Sequence, residues 1–396
     1  VTHLHLAVAL DGTGWHPASW REPGARPGDV FTAGYWTGLV REAERAALDL
    51  VTLEDALGPQ SSVPLAFDHR TDQVRGRLDA VLIAARVAPE TTHVGIVPTT
   101  STTHTEPFHV GIGIASLDFV SRGRAGWRPQ ISARAAEAAH FGRRVLPELT
   151  PADFGAPETE ALVAGLLTEA GDHVEVVRRL WDSWEDDAEI RDAATGRFLD
   201  RDKLHYIDFA GEQFSVRGPS ITPRPPQGQP LVTALAHSAP IYRFAARGAD
   251  VVFVTPHSRD EAASIIGEIR AAEAETGRTG APLAVLGDLV VFLDDEPGAA
   301  AARLARLDRV DPLASDAEVF AGTPAELADL LLDRSAAGLA GFRLRPGVLP
   351  HDLTAIADGL VPELRRRGAF RDAYAEDTLR ARFGLPRPAN RYAAAP

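Results

Sequence analysis

The chain has 396 residues, 45% hydrophobic and 24% charged, enough to bury one large core or two of medium size. Its formal net charge of −14 argues against a nucleic-acid or anionic-membrane surface, since both reward clustered Lys and Arg. It has no cysteine, which excludes disulfides, thiolate nucleophiles and Cys-ligated metals, and no early apolar stretch of signal-peptide or membrane-span length, so a cytoplasmic location is expected.

Short apolar runs alternate with helical patterns along the chain. Strands are predicted over residues 4–9, 50–53, 93–98, 125–131, 231–235, 250–254, 283–292 and 341–344. Helices are predicted over 33–48, 71–86, 107–120, 157–184, 239–247, 259–275, 298–307, 324–337 and 352–367. Eight strands, each followed by a helix, is the count for a (β/α)8 TIM barrel. A doubly wound open sheet is the alternative, weakened by the lack of Gly-x-Gly-x-x-Gly after the first strand. Two segments interrupt the alternation. Residues 11–30 read as a long loop, and residues 185–229 as an excursion over the barrel mouth, with a hairpin near 205–216. The excursion is too poor in apolar residues for its own core, so one domain spanning 1–396 is expected.

Ligands of such barrels sit at the C-terminal ends of the strands. Trp15, His16 and Trp20 follow the first strand, Glu54 and Asp55 the second, and residues 99–105 the third; 128–132 close the fourth, and His237 and Ser238 follow the fifth. Aromatic bodies, hydroxyls and a carboxylate around one mouth suit a flat heteroaromatic ligand with a polar tail. Each position also has a plainer reading. Asp55 can cap the following turn, the hydroxyls near Ser101 and Thr102 can cap the helix opening at Pro107, and a lone His16 is more often structural than catalytic. His104 and His109 lack a third ligand at usable spacing, so no metal site is expected.

More specific strings run through the chain: Trp20-Arg-Glu-Pro23, Leu53-Glu-Asp55, Ser101-Thr-Thr-His-Thr-Glu-Pro107, Ala115-Ser-Leu-Asp118, Gly123-Arg-Ala-Gly-Trp127, Trp181-Asp-Ser-Trp184 and Arg224-Pro-Pro-Gln-Gly228. In this order they resemble the bacterial-luciferase-like flavin monooxygenases, in the branch of nitrilotriacetate monooxygenase component A, dibenzothiophene-sulfone monooxygenase and pristinamycin IIA synthase. The resemblance implies a TIM barrel that uses reduced FMN as a diffusible co-substrate, made by a separate NAD(P)H:flavin reductase, to oxygenate a small organic substrate with O2. It also implies a homodimer or higher homo-oligomer. By position, Asp55, Ser101 or Thr102, Ser132 and Ser238 match the family's flavin-contact segments, and His16 matches a loop near the reactive edge, as a candidate proton donor.

Four departures stand against that pattern. Arg128-Pro-Gln-Ile-Ser132 replaces a run that begins with Asn, and Val163 and Leu167 replace a flavin-contacting His and Tyr. The fifth-strand loop at 234–241 has lost its glycines and gained Pro240, and the stretch between Gly142 and Asp172 is shortened. Two or three lost charge-assisted hydrogen bonds would cost on the order of 3–8 kcal/mol. Arg128 or His237 is then the expected replacement cation for the phosphate, with a salt bridge from Arg128 to Asp55 or Glu54 as the equal alternative for Arg128. The alternative is a non-catalytic or altered-cofactor paralogue, a deazaflavin user being the weakest form of it.

Overall fold

All six residues of β1, His5–Leu10, are at least partly buried and five fully so, as in a strand covered on both faces. The same near-continuous burial marks β2 (Leu50–Leu53), β3 (Gly95–Ser101), β4 (Gly126–Gln130), β5 (Leu231–Leu235), β6 (Val251–Val254), β7 (Ala284–Leu293) and β8 (Gly341–Pro346). In this computed structural model, which describes residues 3–63 and 65–393, the eight strands pair in sequence order, all parallel. β8 closes the ring against β1, with Gly341 opposite His5 and Leu344 opposite Val8. A Cβ at Gly341 would lie 2.0 Å from the carbonyl oxygen of His5, so this seam admits no side chain there. The result is a closed eight-stranded TIM-type barrel.

Helices lie between the strands where the periodicity predicts, α1 (Ala33–Arg45), α2 (Ala80–Val87), α3 (Pro107–Ser121), α5 (Pro157–Asp182), α6 (Ala239–Gly248), α7 (Arg259–Glu275), α8 (Ala299–Asp308) and α9 (Pro324–Ser335), and a short α4 (Ala135–Ala139) forms where none was predicted. The helix expected over 71–86 is shorter. Gly76 has φ of +91°, and the Asp79 side chain accepts from the amide of Leu82, which makes Asp79 the N-cap. Residues before it form a loop pinned by Arg70 on Asp72 and Asp311, Arg75 on Asp68 and Arg77 on Asp11.

β7 runs ten residues, and beyond Gly287 it leaves β6 for an outer strand, Glu318–Gly322, that the pattern did not predict. The excursion also differs from expectation. Trp184 donates to the carbonyl of Ser220 at 2.8 Å, Arg224 holds Asp182 at 3.0 Å, and the Gln227 side chain donates to the carbonyl of Ala125 at 2.8 Å. Ala125 precedes β4, so the segment passes along α5 and beneath the barrel. Only the hairpin tip, with Gln213 and Phe214, reaches a cavity beside the loop after β3. Among the described residues, no helix is long and apolar enough to cross a membrane.

Candidate functional site

Side chains two apart on a barrel strand share a face, so Arg343 and Arg345 of β8 point the same way, as do Thr52 and Glu54 at the end of β2. Together with Asp288 of β7 and Arg128 of β4 they build a buried ion network. Arg128 donates to the Thr99 hydroxyl at 2.9 Å and to the Glu54 carboxylate. Glu54 also accepts from Thr52 at 3.0 Å and from Arg343 at 3.3 Å. Arg343 grips Asp288 through Nε at 2.9 Å and Nη2 at 2.5 Å, and Arg345 reaches both Asp288 at 2.5 Å and Asp316 at 2.6 Å. Arg343 lies 4.2 Å from the centre of the Phe253 ring, and Arg345 4.7 Å from that of Trp15.

Burial opposes ionisation of Glu54, yet Arg128, Arg343 and Arg345 outweigh it and hold the carboxyl below its usual range. Asp288 is likewise held down, with Arg343 and Arg345 outweighing burial. His237 bonds Thr255 at 3.1 Å and lies 3.4 Å from Asp316. Desolvation lowers its pKa despite Asp316.

Over the ends of β4 and β5 lies a cavity of about 250 Å³. Thr102, Arg128, Gln130 and His237 line its polar side, and Ile131, Leu167, Ile241 and Phe244 its apolar side. It therefore joins three of the expected positions. Leu167 contributes only carbon, as its place on α5 predicts.

The other expected residues lie elsewhere, with their polar groups already engaged. Asp55 accepts from the amides of Ala56 at 2.8 Å and Ala80 at 2.9 Å and so caps α2; burial raises its pKa. Ser101 accepts from the amides of Thr103 and His104, both at 3.3 Å, and Ser132 donates to Glu137 at 2.7 Å. These three line a separate cavity of about 80 Å³, divided from the first by Gln130 and Ile131. Ser238 is the exposed N-cap of α6 and makes no side-chain cap bond. His16 borders a third cavity of about 390 Å³, and its ring is fully engaged: Nδ1 accepts from the amide of Ala18 at 3.0 Å and Nε2 meets Asp308 at 3.1 Å. Burial lowers its pKa. Of these cavities, the 390 Å³ one is lined mainly by the loops after β1 and β2 and by residues 311–314, and the 250 Å³ one lies toward β4 and β5, so His16 does not line the cavity that gathers Thr102, Arg128 and His237.

Sequence reasoning missed Arg343, Arg345, Asp288 and Asp316. The signal was present in Gly341-Phe-Arg-Leu-Arg345, where two charges recur at the strand period inside an otherwise apolar run, and in the lone carboxylate of β7. Among the described residues, no group of three or more His, Asp or Glu is placed to hold a metal.

A closed parallel barrel with a polar-floored cavity over the ends of β4 and β5 defines an α/β-barrel protein with a small-molecule-sized site at its mouth. Residues 13–333 match the luciferase-like monooxygenase family. N-acetyl-S-(2-succino)cysteine monooxygenase of Bacillus subtilis (strain 168) is 31% identical, over 98% of each chain. Nitrilotriacetate monooxygenase component A of Aminobacter aminovorans is 30% identical, over 98% of this chain and 97% of its own. The solved EDTA monooxygenase from Chelativorans sp. BNC1 superposes with a TM-score of 0.82 at 24% identity, covering 97% of this chain and 99% of its own, a likeness of fold. The chain belongs to the luciferase-like monooxygenase family.

Proposed function

We propose that this chain is a monooxygenase dependent on reduced flavin, with reduced FMN delivered by a separate NAD(P)H:flavin reductase, that inserts oxygen from O2 into a small organic substrate. The observation that carries this reading is the cavity at the ends of β4 and β5 in a chain of this family. Its apolar wall and hydrogen-bonding floor suit a flat heteroaromatic ring with polar edges. Flavin bound there would supply the activation of O2, for which no side chain of the cavity is suited. Gln130 and Thr102 offer hydrogen bonds at the ring edge, Leu167, Ile241 and Phe244 exclude water from its face, and Glu54 with Thr99 fixes Arg128 in place. Asp55, Ser101 and Ser132 act indirectly in this reading, by shaping the loops that carry those groups. The ring half of a flavin fits this lining; for the phosphate half, the cavity's one lining cation among the described residues, Arg128, is already paired.

Anaerobic titration with reduced FMN, followed by oxygen uptake with a flavin reductase present, tests the proposal. The compounds named in two relatives, N-acetyl-S-(2-succino)cysteine and nitrilotriacetate, are the first substrates to try. No saturable flavin binding would sink it. A non-catalytic paralogue is the second reading, favoured by the structural engagement of His16, Asp55, Ser101 and Ser132. Flavin binding without faster oxygen consumption would support that reading instead.

A homodimer belongs to the same proposal, through the outer face of α2 and α3. Leu82, Phe119 and Val120 are exposed there, beside partly covered Val81 and Ile112.

A further inference from the structure

A flavin nucleotide brings a ring, a ribityl chain and a phosphate, and the mouth of this barrel answers only the first. Arg128, Arg343 and Arg345 stand against Glu54, Asp288 and Asp316, and each guanidinium is on a carboxylate. The network is thus closed and electrically balanced, and His237 beside it faces Asp316 at 3.4 Å. Breaking Arg128 from Glu54 to meet a phosphate would leave a buried carboxylate with less compensation, which opposes the exchange.

The N-terminus of α6 offers little more. Pro240 has no N–H, and the amides of Ile241 and Tyr242 both close onto the Ser238 carbonyl, at 3.0 and 2.9 Å. That leaves the Ala239 amide and the exposed Ser238 hydroxyl, where a phosphate cradle needs several converging donors and a cation. Past Leu167 and Phe244 the cavity continues into a groove between α5 and α6, where Arg178 is held by Asp250 and Arg243 by Glu275. Arg247, exposed to solvent, lies six residues along α6 from Ile241, roughly 9 Å farther down the helix.

We propose that this site selects its flavin by the ring and does not read the phosphate, so that riboflavin and FMN bind with equal affinity. The inference rests on the flavin reading above and deepens it: the cofactor class becomes the isoalloxazine itself, with the tail left in solvent. In a chain of net charge −14 such a mouth offers the phosphate no long-range attraction for salt to screen, so added salt does not weaken FMN binding.

The test is anaerobic titration of the full chain with chemically reduced riboflavin and reduced FMN, read by quenching of tryptophan fluorescence, at about 0.05 M and about 0.5 M NaCl. The expected dissociation constants agree within about threefold at the higher salt, and salt weakens neither. FMN binding about tenfold or more tighter than riboflavin, or an FMN affinity that salt weakens while riboflavin's holds, overturns the inference and leaves the flavin reading intact. Binding of neither compound overturns both.

Discussion

Arg128 stands in the mouth with its guanidinium divided between the Thr99 hydroxyl and the Glu54 carboxylate, and almost none of it meets solvent. Removing one partner of such a pair leaves an undercompensated buried charge. Arg128→Met is therefore expected to lose about 3 kcal/mol, the low end for a broken buried pair because Arg343 and Thr52 still serve Glu54. The urea midpoint reads this directly. Arg128→Met combined with Glu54→Leu should recover most of the loss, since the desolvated charge goes too. The deficit of the single variant has a pH signature. Glu54 is held below its unfolded value near 4.3, so the stabilisation from its partners is present above that pH and fades as pH falls through the lowered folded value. Wild type and variant should converge in acid; curves that stay parallel there would exclude Glu54 as the partner that matters. His173 is the opposite case, a buried imidazole against Trp127 and Phe214 with no hydrogen-bond partner on either ring nitrogen and a pKa pushed down to about 3 by burial. The unfolded chain binds this proton near pH 6.5, so stability is present above that pH and is lost as pH falls toward about 3. His173→Leu should remove that slope and outlast wild type at acid pH. An unchanged acid limb would show that His173 does not titrate with folding.

The loop after β1 shows how an element is positioned by one backbone conformation. Gly14 has φ of +126°, and a Cβ there would lie 2.4 Å from the Gly347 carbonyl oxygen. This close approach lets the Trp15 amide bond Pro346 at 2.9 Å and the His16 amide bond Gly347 at 3.1 Å, docking the loop on the end of β8. Gly14→Ala is expected to cost about 3 kcal/mol, through strain at positive φ and a clash with backbone that has no flexible way to yield. Thermal unfolding measures it, and a loss under about 1 kcal/mol would mean that the loop can dock otherwise. At this scale the sequence was most readable where period and capping agree. Arg259–Glu275 runs between the Ser258 cap and Thr276 as its pattern predicts, and all eight barrel strands form at their apolar runs. The overlong helix at 71–86 came from following apolar spacing past Gly76 and Asp79, the two residues that halt it. The site was less readable, for a physical reason. Periodicity says which residues face inward but not which inward charges meet, and Arg343, Asp288 and Glu54 are brought together only by barrel closure, across 289 positions of chain. Of the expected ligand residues, Thr102, Arg128 and His237 share a cavity, while Asp55, Ser101 and Ser132 went to the capping and turn bonds that short polar side chains at strand ends commonly make.

For the whole molecule, the barrel accounts for one face of each surrounding helix and leaves the other to solvent or to another chain. α3 is apolar on more than its inner side: Phe119 and Val120 are 44% and 48% exposed, and Leu82 on neighbouring α2 is 70% exposed. A helix apolar on several sides is stable in water when something covers it, and a second copy meeting the same face about a twofold axis would do so. Charge opposes that association, because each copy carries −14. The balance has a measurable sign. If apolar burial drives the pairing, raising salt from about 0.05 M to about 0.5 M screens the repulsion and should strengthen the dimer. Light scattering at micromolar concentration is expected to give the mass of two chains, increasingly so with salt. Leu82→Glu combined with Phe119→Glu should give one chain at every salt concentration, while flavin affinity stays unchanged because the mouth cavity lies at the ends of β4 and β5, lined by neither residue. A wild-type chain that remains monomeric in high salt, or a doubly substituted chain that still pairs, would rule this face out as the interface.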